Sequence, residues 1–171
     1  MRVIVVALLI AAFVVPATAR REFVATAEDF KCLTDGAKAE GKHFFVFGRK
    51  RVVKKALRKT KTGKLGKGYP VGTILQLFPF EAMAKRGGKF NPEGGGWEYF
   101  KINPKADGTS EIAARGAAEV IGITGSSCQN CHVRLASEHD YVCEFVVGAE
   151  GLGFTEEQIA RFQASDVRCK K

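Results

Sequence analysis

The sequence predicts a mainly β domain, an antiparallel sheet accompanied by a few short helices. Three stretches carry that expectation. His43 to Phe47 is a compact apolar run, and Val71 to Phe78 reads as a buried strand entered through Gly68, Tyr69 and Pro70. In Trp97 to Ile102, the residues Trp97, Tyr99 and Lys101 alternate with Glu98, Phe100 and Ile102, the period of two that sends successive side chains to opposite faces of a sheet.

After Met1 come Arg2, an unbroken apolar run from Val3 to Val15, then Pro16, Ala17, Thr18 and Ala19. This order of basic, apolar and small residues predicts a secretory signal peptide over 1–19, leaving 20–171 as one domain. Thirteen apolar residues in a helix reach only about 20 Å, short of the roughly 30 Å hydrocarbon layer, so a membrane anchor is disfavoured. A periplasmic location follows, with no later membrane span expected.

Along the mature chain, Ala27 to Leu33 reads as a short amphipathic segment containing Cys32. Val52 and Val53, set among basic residues, suggest a strand in a solvated hairpin, and Glu81 to Arg86 one helical turn. A glycine-rich loop (Gly87, Gly88, Asn91, Pro92, Gly94 to Gly96) leads into Trp97. Asn103 to Gly108 marks a turn, and Ser110 to Ala114 with Ala118 to Ile123 could pair as strands across Arg115 and Gly116. Thr155 followed three residues later by Gln158 is a capping box opening a helix through about Phe162.

Hydrophobic residues make up 46% and charged residues 26%, values of an ordinary globular domain and not of a disordered or fibrous one. The formal charge is +9, and removal of 1–19 takes away one arginine, leaving 26 basic against 18 acidic side chains, or +8. Ten of the basic residues lie between Arg49 and Lys67 with no acidic one among them. Such a block can steer an acidic redox partner or simply keep the protein soluble, and export argues against nucleic acid.

The chemistry concentrates at Cys128, Gln129, Asn130, Cys131 and His132, a C-x-x-C-H run, the attachment signature of a c-type haem. One helical turn brings both sulfurs to one edge of the macrocycle, where they add across its vinyl groups as thioethers. The next residue, His132, then sits under the iron as its axial ligand. One covalent haem at the start of a short helix is the expectation. Two rivals remain: a thioredoxin-like dithiol, and a zinc site using Cys128, Cys131, His139 and Cys143. The other cysteines, Cys32, Cys143 and Cys169, allow one disulfide and one free thiol, with Cys169 tied to Cys143 or Cys32, or a reduced trio.

Five stretches occur in order: Gly68-Tyr69-Pro70-Val71-Gly72-Thr73-Ile74, Glu81-Ala82-Met83-Ala84-Lys85-Arg86, Phe90-Asn91-Pro92, Gly96-Trp97-Glu98-Tyr99-Phe100, and Cys128 to His132. Together, over roughly Tyr69 to Tyr141, they resemble the cytochrome P-460 family, which includes cytochrome c′-beta. The resemblance implies a predominantly β fold, a homodimer and one five-coordinate haem open on its distal side. In hydroxylamine-oxidising members a lysine cross-linked to the macrocycle lies a few residues beyond the Gly-Thr pair. Counting from Gly72 and Thr73 places Leu77 there, which points toward the gas-binding relatives; only a slip of several residues would bring Lys85 into play.

Other residues bear on the iron's sixth position. Met83, the only methionine of the mature chain, could close it for electron transfer, as could His43 or His139, although Met83 and His43 are more simply structural and His139 beside Asp140 reads as a surface pair. Phe44, Phe45, Phe47, Phe78 and Phe80 are candidate walls of a dry pocket, and Glu81 or Glu98 candidate proton carriers. Three functions follow: binding nitric oxide or a similar small molecule, converting hydroxylamine or a nitrogen oxide, or carrying electrons to an acidic partner.

Overall fold

The computed structural model describes residues 22–87, 89–148, 151 and 153–169, so the expected signal peptide lies outside the described residues. Six strands lie side by side in chain order: β1 (Ala37–Lys38), β2 (Phe45–Phe47), β3 (Ile74–Phe78), β4 (Glu81–Lys85), β5 (Trp97–Pro104) and β6 (Ser110–Gly116). Every neighbouring pair is antiparallel. Among the described residues three helices accompany the sheet, α1 (Lys50–Thr62), α2 (Cys128–Ala136) and α3 (Glu156–Ala164), together with short 3-10 turns. The mainly β antiparallel architecture is thus present. No helix among the described residues is long and apolar enough to cross a membrane.

Both faces of the sheet are covered, and the alternation of β5 decides which residue goes where. Trp97 and Tyr99 join Val46, Leu75 and Met83 in a cluster that packs under α1 and the segments around Tyr69, Val120 and Val142. Phe100 and Ile102 join Phe45, Phe47, Ile74, Ala82 and Ala84 on the other face, where Ala25, Phe30 and Leu33 of the N-terminal segment cover them. A third cluster sets Phe78 against Ile159 and Phe162 of α3. Helix α3 opens on the expected capping box, with the Thr155 hydroxyl accepting from Gln158 N and the Gln158 side chain accepting from Thr155 N.

Three local expectations are corrected. Glu81 to Arg86 is a strand and not a helical turn: its Ala, Met, Glu and Lys residues favour a helix locally, but β4 is hydrogen-bonded on both sides and mostly buried, and tertiary packing overrides that preference. Val52 and Val53 belong to α1 and not to a strand, so the basic block folds as a helix and loop instead of a hairpin. Val53, Ala56, Leu57 and Thr60 fall at i, i+3, i+4 and i+7 and face the core, while Gly63, at φ 63°, ends the helix in the left-handed region. Ala118 to Ile123 is a loop, and β6 pairs with β5 alone. The segment 27–35 forms two 3-10 turns, Ala27–Asp29 and Leu33–Asp35, flanking Cys32.

The C-terminus is tied to the N-terminal cover twice. A disulfide joins Cys32 to Cys169 and leaves Cys143 as a free buried thiol. Closing a loop of 137 residues restricts the unfolded chain by about 5 kcal/mol in the chain-entropy account. Beside it, Arg168 and Asp166 form an ion pair with both side chains 0% exposed. Arg168 donates to the carbonyls of Phe30 and Pro79 and to the Ser110 hydroxyl, and the Asp166 carboxylate also accepts from Leu33 N. One guanidinium therefore links the N-terminal cover, the β3–β4 turn and β6.

Replacing Asp166 with alanine leaves that guanidinium buried and unpaired, and a loss of about 3–5 kcal/mol is expected in chemical denaturation. Burial alone would raise the Asp166 pKa, but Arg168 and the Leu33 N–H outweigh it and hold the carboxyl below its ordinary range. Its contribution is accordingly present above the unfolded carboxyl pKa and lost as pH falls through the lower folded value. Denaturation curves of wild type and Asp166→Ala should therefore converge only in strong acid.

Candidate functional site

Helix α2 is delivered to the sheet by a tightly folded loop. Gly122 N donates to Ser126 O, Cys128 N donates to Val120 O, and Ile121 bridges to Ser127. Ser127 then caps the helix, its hydroxyl accepting from Asn130 N at 3.5 Å and donating to Ala118 O at 3.0 Å. From this start Cys128, Cys131 and His132 occupy positions i, i+3 and i+4 and share one helix face. That face lines an apolar cavity of about 140 Å³.

The opposing walls come from the sheet and the segments beyond α2. Leu75 and Leu77 of β3, Met83 of β4 and Tyr99 of β5 line it, with Phe44, Phe78 and Phe154 closing its sides. Val142 and Cys143 add a further apolar edge. The lining is mostly apolar, with Glu81, Glu144, Thr124, Ser126 and Ser127 among its polar members.

His132 is held in a defined tautomer. Its Nδ1 lies 2.6 Å from the Tyr141 carbonyl oxygen. A carbonyl only accepts, so Nδ1 carries the proton and Nε2 keeps its lone pair. Burial lowers the His132 pKa, against the opposing pull of the Tyr141 carbonyl, and so favours the neutral imidazole that a metal requires. The Tyr99 ring lies beside the imidazole, with centroids 5.1 Å apart.

The thiols behave unlike a redox dithiol. Burial pushes Cys128 up to about 12, with Glu81 and Cys131 adding to the shift, whereas an attacking thiol needs a lowered pKa. Cys143 is likewise pushed up to about 12 by burial, with Cys131 adjacent. The zinc set does not assemble either. Among the described residues the one close grouping of potential metal ligands is Cys32, Asp166 and Cys169, which is a disulfide beside an ion-paired carboxylate. His139 instead stacks on Phe145.

The other sequence candidates divide cleanly. Met83, Leu77, Phe44, Phe78 and Glu81 line the cavity. Phe45 and Phe47 pack on the opposite face of the sheet, and Phe80 packs against Phe78 and Phe162. Glu98 is committed to Arg115 and Arg86 on that opposite face, and both ring nitrogens of His43 are engaged, by Glu144 and Glu156 at 2.7 Å each. Lys85 pairs with Asp140, and no lysine lines the cavity among the described residues.

Nothing in the sequence marks Cys143 or Phe154 as cavity residues, or the Tyr141 carbonyl as the partner of His132. The same holds for the Tyr99 hydroxyl, which is buried with no hydrogen-bond partner among the described residues. A buried hydroxyl at a cavity wall is satisfied by a polar group or an ordered water inside that cavity. Two thiols one turn apart, an imidazole with a free Nε2, apolar walls and this unmet hydroxyl form a donor set that suits a covalently held haem.

Glu81 is the one carboxylate of β4 in the cavity, accepting from Ile123 N at 2.5 Å. Burial raises its pKa, partly offset by the Ile123 N–H and Lys101. The folded state therefore holds this proton more tightly than the unfolded chain, and the linked stability is lost as pH rises from the unfolded value through the raised folded one. Glu81→Gln keeps the acceptor but removes the titration, so its thermal midpoint should gain on wild type as pH rises from about 4 to 8. Parallel profiles would contradict this.

Comparison with family models, with curated proteins and with solved structures finds no match to this chain.

Proposed function

We propose that the chain is an exported mono-haem c-type cytochrome of the cytochrome P-460 and c′-beta kind, active in the periplasm. Cys128 and Cys131 would hold the haem covalently and His132 would ligate its iron, and the group so held would supply a site that binds or processes small nitrogen species such as nitric oxide or hydroxylamine. The observation that carries this reading is that Cys128, Cys131 and His132 line one apolar cavity while His132 Nδ1 is engaged by the Tyr141 carbonyl, which leaves Nε2 as the ring's ligating nitrogen. The order of residues over 1–19 supports export.

Haem iron supplies a site for diatomic or hydroxylamine-like ligands and for one-electron change. The protein's part is to shape and dry that site. Phe44, Leu75, Leu77 and Phe78 exclude water, and Glu81, protonated more readily than an exposed carboxylate, can hold a proton at the cavity wall. Leu77 in the cavity, with Lys85 engaged elsewhere, favours ligand binding over hydroxylamine oxidation.

One observation keeps a second reading in play: Met83 also lines the cavity, and a methionine on iron would make a six-coordinate electron carrier. The exposed side chains of Lys50, Arg51, Lys54, Lys55 and Arg58 on α1 would then steer an acidic partner. A homodimer belongs to the first reading through the family resemblance.

Absorption spectra of the exported protein separate these. The first reading expects a high-spin ferric haem whose reduced form binds carbon monoxide and nitric oxide, with Met83→Leu leaving the spectrum unchanged. A low-spin spectrum with a methionine charge-transfer band, lost in Met83→Leu, selects the electron carrier. Cys128→Ser with Cys131→Ser should abolish covalent attachment, and haem that stays on the polypeptide under denaturing conditions after that change overturns both.

A further inference from the structure

The turn that carries the Tyr141 carbonyl is an unusual piece of backbone. Asp140 and Tyr141, neither of them glycine, are consecutive left-handed residues at φ 50° and 63°. Such conformations are costly for side-chain-bearing residues and persist where surrounding contacts over-determine them. Here the contacts converge on Asp140. Its carboxylate accepts from Lys85 Nζ at 2.5 Å and from Tyr69 N at 2.6 Å, and its carbonyl accepts from Trp97 Nε1 at 2.8 Å. Tyr141 N donates back to Ala136 O at 2.7 Å, closing the turn onto the end of α2.

Lys85 is the notable member. It lies on β4 beside Trp97 of β5, is 7% exposed, and its Nζ stands 4.9 Å from the Trp97 ring centroid. Burial lowers its pKa while Asp140 pulls it back up. A buried pair of this kind is poor evidence for stability, since well-packed apolar residues often serve as well. Its defensible use is to specify one arrangement, and the arrangement specified is the direction of the next carbonyl along the chain.

We propose that the Lys85–Asp140 pair, seated on Trp97, is a positioning device that fixes the Tyr141 carbonyl against His132 Nδ1 and thereby sets how strongly the axial imidazole donates to iron. The inference rests on the haem reading above. A firmly held acceptor at Nδ1 makes Nε2 a stronger donor and keeps the ring from rotating. Lys85 is not among the residues lining the cavity; it acts through Asp140 and Tyr141.

The test uses the haem-loaded protein with Lys85→Met, Lys85→Arg and Asp140→Asn. In Lys85→Met and Asp140→Asn the ferrous iron–histidine stretching band should shift to lower frequency and the midpoint potential should rise, while Lys85→Arg stays near wild type on both. A fall in melting temperature with band and potential unmoved overturns the proposal and leaves the pair merely structural. If Lys85→Met does not fold, Asp140→Asn, which keeps an acceptor for Tyr69 N–H, decides in its place. Should even the wild-type protein carry no haem, the functional reading fails separately. The His132 tautomer, read by nitrogen NMR in the full chain, then decides: loss of the Nδ1–H form in the variants supports the clamp, and its retention overturns it.

Discussion

The pairing of β4 with β5 is the constraint on which the cavity depends. Met83 opposite Tyr99 and Lys85 opposite Trp97 put four side chains on one face of the sheet, two in the cavity wall and two beneath the 140–141 turn. Ala82 opposite Phe100 and Ala84 opposite Glu98 go to the other face, where the small alanines leave room for Phe30 and Leu33. A slip of one residue would exchange the faces, burying Phe100 where Tyr99 now meets His132 and carrying Lys85 away from Asp140. The imidazole and the turn that orients it are both referenced to this one register.

Rigidity elsewhere protects it. The N-terminal cover is locked by the Cys32–Cys169 disulfide and by Arg168, so the sheet face away from the cavity cannot loosen without breaking buried charge contacts. On the cavity side, α1 contributes Ala56 and Thr60, and the Thr60 hydroxyl shares a 2.7 Å hydrogen bond with Tyr69. Tyr69 N in turn donates to Asp140. The basic helix is thus joined through its buried stripe to the turn behind His132, while its charged face stays in solvent.

Much of this was legible in the sequence, and the exceptions have physical causes. The alternation in Trp97 to Ile102, the capping box at Thr155 and the spacing of Cys128, Cys131 and His132 are local signals; the first two appear as strand β5 and helix α3, and the third lies on one face of α2. Glu81 to Lys85 misled because its local helix preference is overridden by strands contributed from elsewhere in the chain. The helix over Lys50 to Thr62 hid because seven of its thirteen residues are basic, which drowns the 53, 56, 57, 60 stripe in charge. The Tyr141 carbonyl leaves no trace in residue type at all, since any residue offers one. The pairing of Cys32 with Cys169 across nearly the whole chain is likewise a matter of where two ends meet.

The central claim is that Cys128, Cys131 and His132 together hold one covalent haem in this cavity. The most direct measurement is the intact mass of the exported protein under denaturing conditions, where a cofactor held only by coordination falls away. The account predicts the mass of the processed chain plus one haem, with the addition mapped to the peptide bearing Cys128 and Cys131. A mass equal to the polypeptide alone, from a host able to attach haem, would contradict it.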